Sequence, residues 1–407
     1  MSGDHDSITR TIRTPSADQF GPLQRAGQVL IVIGALLSLA ALWRDADRFA
    51  FGYLWGFTFV WTLVLGSLFF VVLHHVTHSV WSVVVRRIGE VFAGMMPLVT
   101  VLMIPVFVFA WFSHTFALYP WTNAELVHGD HVLEGKAVYL NVPFFILRGL
   151  FFAGIWVLFA RLFVGLSLRQ DNGELGGDAT LRMRKWSPLF MLLFAFTVTF
   201  ASFDWLMSLD PHWFSTIYGV YVFGGMAATG LAAITLAVVW LRASGWLGEG
   251  VVRPDHLYNL GALLFTFTCF WAYIAFSQFM LIWYGSIPEE TVYFVARTRH
   301  GWLEISTALA LLRFGAPFLL LLSRPAKMNP RRLVVVSVLI LLGQLLDLFW
   351  LIMPHLHVAA PRLGWQELAP VVLLFGISML FLRKFLVRAP LVALRDPLLR
   401  ESLEFHL

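Results

Sequence analysis

The amino-acid sequence predicts an all-α integral membrane protein of about ten transmembrane helices. Three observations predict it. Hydrophobic residues make up 59% of the 407 residues and charged ones only 13%, against about 25% charged in soluble domains, so a water-soluble fold would be short of surface. The apolar residues fall in long runs, each sufficient at about 1.5 Å per residue to cross a hydrocarbon core of about 30 Å. The Lys and Arg lie between the runs and form no continuous stripe of the kind that nucleic acid requires, although the net charge is +5. The 17 Trp and 38 Phe fit aromatic helix interfaces and headgroup belts.

One membrane domain is expected at 26–387, between an N-terminal tail at 1–25 and a C-terminal tail at 388–407. The first span, 26–43, is followed at once by Arg44 and Asp45; it is long for a signal-peptide core, so a retained helix is expected despite the small residues Ser38 and Ala40. The second, 51–73, ends at His74, His75 and His78. In the third, 89–112, Pro97 and Pro105 predict kinks. The loop 113–141 is the longest and carries His114, Glu125, His128, Asp130, His131 and Glu134. The fourth and fifth spans cover 142–168 and 187–209; the glycine-containing loop between them lacks the Gly-Lys-Ser/Thr ending of a phosphate loop and reads as a connection.

Asp210-Pro211-His212 reads as a cap followed by proline in a first helical turn. The sixth span, 217–241, has Gly224 and Ala228 at a spacing that lets helices approach closely, as Gly34 and Ser38 do in the first. After the seventh, 258–284, Ser286 and Glu289 have capping-box spacing and predict a short helix over about 288–297. The eighth, ninth and tenth spans are 303–323, 333–353 and 368–387. An even count puts both termini on one side. Arg86, Arg87, Arg182, Arg184, Lys185, Arg331 and Arg332 lie on that side, so both termini are expected in the cytoplasm.

Ionisable residues inside spans cost at least about 2.5 kcal/mol each at the helix centre and need a partner, water or a function. Asp204, Asp347 and Arg148 each lie about 9 Å inside the end opposite the termini, a shared depth at which they are able to meet. Gln344 and Asp347 share a face at i, i+3, and His300 and Glu304 share one at i, i+4. Arg313 falls near mid-span, with Glu90 and Arg161 toward the termini side. One reading is a proton-conducting or quinone-facing cluster built from Glu90, Asp204, Glu304, Asp347 and His300, since quinol oxidation releases protons that a carboxylate or His must accept. The other is that Arg148 and Arg313 neutralise Asp204 and Asp347 as structural pairs, with Arg161 a further charge partner.

No metal site is expected. His74 and His78 have ligand spacing but sit at a span end, as do His355 and His357, and no His lies mid-span as a bis-His haem requires. Cys269, the single cysteine, excludes an internal disulfide and an all-Cys iron–sulfur cluster. No catalytic residue and no cofactor of this chain's own is expected; a bound quinone or lipid remains open.

The run Phe203-Asp204-Trp205-Leu206-Met207-Ser208-Leu209-Asp210-Pro211-His212-Trp213-Phe214-Ser215-Thr216 resembles the ActF subunits of bacterial alternative complex III. Phe270-Trp271-Ala272-Tyr273, Ile282-Trp283-Tyr284, Ile287-Pro288-Glu289-Glu290-Thr291-Val292-Tyr293-Phe294 and the stretch from Thr77 to Glu90 carry the same resemblance. It implies an NrfD-like fold, with four-helix bundles at about 51–209 and about 217–353 flanked by the first and last spans. It also implies a bacterial inner membrane location and a subunit that supports assembly and proton movement. The implied partners are an ActC-like membrane subunit and subunits holding iron–sulfur clusters and haem c, which pass electrons from quinol to a periplasmic acceptor. Two other expectations stand beside it, an independent secondary transporter and a purely structural scaffold.

Overall fold

The computed structural model describes residues 15–248, 250–357 and 359–407. Among these, ten helices are long and apolar enough to cross a bilayer: α1 Asp18–Arg44, α2 Ala46–Val76, α3 Val83–Trp111, α4 Val142–Asp171, α5 Asp178–Leu209, α6 Tyr218–Ala243, α7 Pro254–Gly285, α8 Trp302–Leu321, α9 Pro330–His355 and α10 Trp365–Leu386. No strand occurs among the described residues. The protein is an all-α, multi-pass membrane protein. Its outer surface bears large apolar side chains such as Leu36, Phe151, Leu192 and Phe276, a distribution that suits lipid and not water.

The helices pack as two closed rings of four. In the first, α2 contacts α3 and α5, and α4 bridges those two; in the second, α6 contacts α7 and α9, and α8 bridges them. The rings meet along α2 and α6, both largely buried, while α1 and α10 pack on each other and against α2. Close approach fixes the central contact. A Cβ on Gly66 would lie 2.1 Å from the Met226 carbonyl oxygen, and one on Gly230 would lie 2.4 Å from the Gly66 carbonyl carbon. Glycine is required there because the backbones themselves touch. The Gly34 expectation holds, since its Cβ would meet the Leu373 backbone at 2.5 Å, and Gly224 is also closely approached, less severely, by the Phe270 ring at 3.2 Å.

The kinks in α3 fall where the prolines place them. The helix divides into Val83–Ala93, Met96–Leu102 and Ile104–Trp111, with Pro97 and Pro105 in the first turns of the later pieces. Other local expectations are corrected. The short helix Pro288–Ala296 forms, but Ile287 caps it without a side-chain bond, because Ser286 adopts φ 50° to end α7. No helix starts at Pro211; the chain turns there and α6 begins at Tyr218. The N-terminal tail does not extend to residue 25. A 3-10 turn over Ala17–Phe20 leads into the first helix, and Phe20 is buried against Trp240 and Trp246; residues 1–14 lie outside the described set. The C-terminal segment is folded too. Leu391, Val392, Leu399 and Leu403 are buried, Asp396 binds Arg86 at 2.5 Å, and the His256 ring bonds the Ser402 carbonyl at 2.9 Å.

Candidate functional site

Each ring of helices contains a buried arginine and carboxylate, and the two are built differently. In the first, the Arg148 side chain of α4 donates two hydrogen bonds to Asp204 of α5, at 2.8 and 2.9 Å, and a third to the Tyr139 carbonyl at 2.8 Å. Its guanidinium lies 3.8 Å from the Tyr139 ring centre and 4.3 Å from that of Phe144. Both carboxylate oxygens and the cation are therefore occupied within a closed aromatic wall. Such a fork joins two helices in one register.

The second pair lies between α8 and α9. Helix α8 contains a π-helical turn at Leu311–Gly315, and Arg313 within it is directed inward to Asp347 of α9. The wider turn alters the direction of the residues around it relative to a regular helix. Asp347 also accepts a hydrogen bond from the Tyr221 hydroxyl of α6. Gln344 lies on the same face, with its amide nitrogen 3.5 Å from the Thr62 hydroxyl. The Arg313 guanidinium stands 4.4 Å from the Trp271 ring centre. Gly225 makes room, since a Cβ there would lie 2.8 Å from the Arg313 side chain and 3.0 Å from Gln344. Arg313 Nε and Nη2 and Gln344 Oε1 are buried without hydrogen-bond partners, so this cluster has polar capacity that Arg148 and Asp204 lack.

A cavity of about 800 Å³ borders this cluster. It exists because the Trp302–Ala310 part of α8 stands off α7, while the π-turn and Ala316–Leu321 pack against it. Small residues line the gap, among them Ala272 and Ala275 on α7 and Ser306 and Ala310 on α8. Tyr221 and Trp271 form the wall shared with the Asp347 cluster. Tyr293, Arg297 and Trp350 form the end nearest the 286–301 connection. The Arg297 nitrogens donate to the carbonyls of Trp350, Tyr293 and Leu351 at 3.2, 2.9 and 3.2 Å, and its guanidinium stacks 3.5 Å from the Tyr293 ring centre. Burial pushes the Tyr293 phenol up to about 12, which keeps it a neutral hydroxyl.

The remaining sequence candidates fall elsewhere. Asp347 does not join Arg148 and Asp204 despite the shared depth, because it belongs to the other ring. Glu90 is buried among Arg86 and Arg87 at 3.3 and 2.8 Å, and Arg87 also binds Asp171. Glu304, His300 and Arg161 are exposed. His300 and Glu304 do not share a helix face: His300 has φ 51° in the preceding turn, and the helix starts only at Trp302. His74 bonds the Phe70 carbonyl at 2.8 Å, and among the described residues no group of His, Cys, Asp or Glu has a metal-holding arrangement. Sequence reasoning missed Glu367, which binds Arg48 at 2.5 and 2.9 Å and His357 at 3.0 Å, as well as Gln278 and Arg297 of the cavity. Glu367 and Arg297 offered little signal, since Arg48 in the one case and Trp350 and Leu351 in the other are far away in sequence, and Gln278 offered none, since its amide nitrogen has no partner. No family model matches the chain, and no curated protein matches it.

Proposed function

We propose that this chain is a cofactor-free membrane subunit of a quinol-oxidising electron-transport assembly, of the alternative complex III type, that supports assembly and moves protons. In this reading it is an ActF-like, NrfD-like protein of the bacterial inner membrane with both termini in the cytoplasm. Its partners are an ActC-like membrane subunit and subunits carrying iron–sulfur clusters and haem c. The residue runs around Asp204 and Pro288 support the family assignment. The observation that carries the chemistry is the bond from Tyr221 to Asp347, at the wall of a cavity whose lining includes the exposed side chains of Tyr273, Phe276 and Leu303.

Quinol oxidation releases two electrons and two protons. A proton arriving at the cavity wall has one hydroxyl, that of Tyr221, to cross before it reaches the Asp347 carboxylate, and Arg313 supplies the counter-charge. On the termini side, Glu90 with Arg86, Arg87, Asp171 and Asp396 provides a second set of ionisable groups.

A scaffold reading is favoured by one observation, the fully occupied fork of Arg148 and Asp204, so that pair is assigned to architecture. The transporter reading requires interrupted helices in matching positions of two repeats. The interruptions fall in α3 and α8, the second helix of one ring and the third of the other. Purification in mild detergent should give co-migration with c-haem absorbance; a haem-free chain that takes up solute in proteoliposomes overturns the reading. In the complex that assembles, Asp347→Asn should lower proton release per electron transferred. Loss of yield alone would make Asp347 a scaffold residue.

A further inference from the structure

We infer that the outward face of α4 is a docking surface for a transmembrane helix of a partner protein, and that this helix carries an aspartate or glutamate opposite Arg161. The inference needs a membrane partner but does not require that partner to carry electrons.

An unmatched charge is the first argument. Arg161 is exposed on α4, and it makes no hydrogen bond or ion pair with any described residue. It lies ten residues, about 15 Å, from the end of the helix at Asp171. Centred on a hydrocarbon core of about 30 Å, the 30-residue helix overhangs each face by about 7 Å, which puts Arg161 about 8 Å inside the core. A cation at that depth needs a counter-charge, water or a headgroup. The helix enters the bilayer from the face opposite the termini, so its Cα–Cβ bonds tilt back toward the bilayer centre, and the Arg161 side chain leaves the helix directed away from the nearer headgroups. The chain's own acids do not answer it. Among the described residues, the carboxylates on that side of the spans belong to the buried cluster of Glu90, Asp171 and Asp396 or stand within the first two residues of a helix, as Asp18, Asp178 and Asp255 do. A second copy therefore offers Arg161 no carboxylate at its depth, and a symmetric contact through this face would bring two arginines together.

The shape of the face fits a helix. Leu147, Phe151, Gly154, Leu158, Arg161 and Gly165 recur at alternating steps of four and three, the seam by which one helix packs along another. Leu147, Phe151 and Leu158 are exposed along it. A Cβ on Gly154 or Gly165 would meet nothing within 4 Å, so at both positions the backbone is open to close approach from outside the chain. A carboxylate reaches this depth on another transmembrane helix, and the arginine fork is able to bind both of its oxygens.

The test uses the full-length chain in its native membranes. Leu158 is replaced by the photoreactive residue benzoylphenylalanine, the membranes are irradiated, and the adducts are mapped by mass spectrometry; Leu319 on α8, also exposed, serves as the comparison position. The probe at Leu158 should label one helix of one partner, with an Asp or Glu at the depth of Arg161. Arg161→Glu should then lower the amount of that partner retained in mild detergent about tenfold, and Arg161→Lys should lower it less. Exchanging the partner's carboxylate for arginine in the Arg161→Glu background should restore retention. Phospholipid adducts alone, adducts on a second copy of this chain, a labelled helix without a carboxylate at that depth, or retention unchanged by Arg161→Glu overturns the inference. Should Arg161→Glu fail to insert, the adduct map and Arg161→Gln, which should also lose the partner, decide the matter. Haem co-migration with only lipid adducts at Leu158 rejects this surface and leaves the proposed function standing; a carboxylate-bearing helix captured in a haem-free assembly does the reverse.

Discussion

Arg148 and Asp204 bind each other through two parallel hydrogen bonds inside the first ring, so removing either one leaves a buried group without its partner. Arg148→Ala should destabilise the protein by about 3–5 kcal/mol, whereas an apolar pair such as Arg148→Met with Asp204→Leu should recover most of that loss. Thermal unfolding in detergent measures both, and a single variant as stable as wild type would remove the fork from the architecture. A second residue-scale prediction concerns the 113–141 loop. Asp130 accepts a hydrogen bond from the His212 ring at 2.6 Å and others from the backbone N–H groups of Leu133 and Val132. The bond from His212, followed by those from the backbone, holds its carboxyl below the ordinary carboxylate value. A depressed folded-state value contributes stability that is complete above the unfolded value and is lost as pH falls through the folded one. Protection of the loop from limited proteolysis should therefore persist from neutrality down to the carboxylate range and disappear below it. Asp130→Asn should lack that acid-side loss.

At the scale of elements, glycines in long helices have opposite meanings that spacing alone does not reveal. Gly66 and Gly230 let α2 and α6 touch backbone to backbone, and even Gly66→Ala should sharply reduce folded yield because its Cβ would overlap a carbonyl. A Cβ added at Gly154 on α4 would meet nothing within 4 Å, so Gly154→Ala should be tolerated or stabilising by up to about 1 kcal/mol through helix propensity. Monodisperse yield and melting temperature compare the two directly; equal tolerance would contradict the central crossing. The kinks of α3 were legible because proline acts on its own backbone. The π-turn of α8 was not legible, since Leu311 to Gly315 contains no proline and the turn serves to direct Arg313 toward a partner on α9.

For the whole molecule, orientation is the testable property. In a Cys269→Ser background, His131→Cys and Glu289→Cys should react with a membrane-impermeant maleimide from the periplasmic side, and Arg331→Cys only after the cytoplasmic side is opened. The reverse pattern would invert the proposed topology and the direction of proton movement with it. The sequence by itself determined the helical class, the positions of the ten spans and the approximate depth of each charged residue, because apolar length and rise per residue are properties of a single segment. It also made Arg148 and Asp204 candidates for one another. Arg313 and Asp347 were likewise named as a pair; only the tertiary structure decided that Tyr221 joins them, that Glu304 faces outward, that Arg48 meets Glu367 across the chain, and that α7 and α8 part to form a cavity at Gln278. Depth along a helix is written locally, whereas the direction a side chain faces and the neighbour it meets depend on how all the helices pack around it.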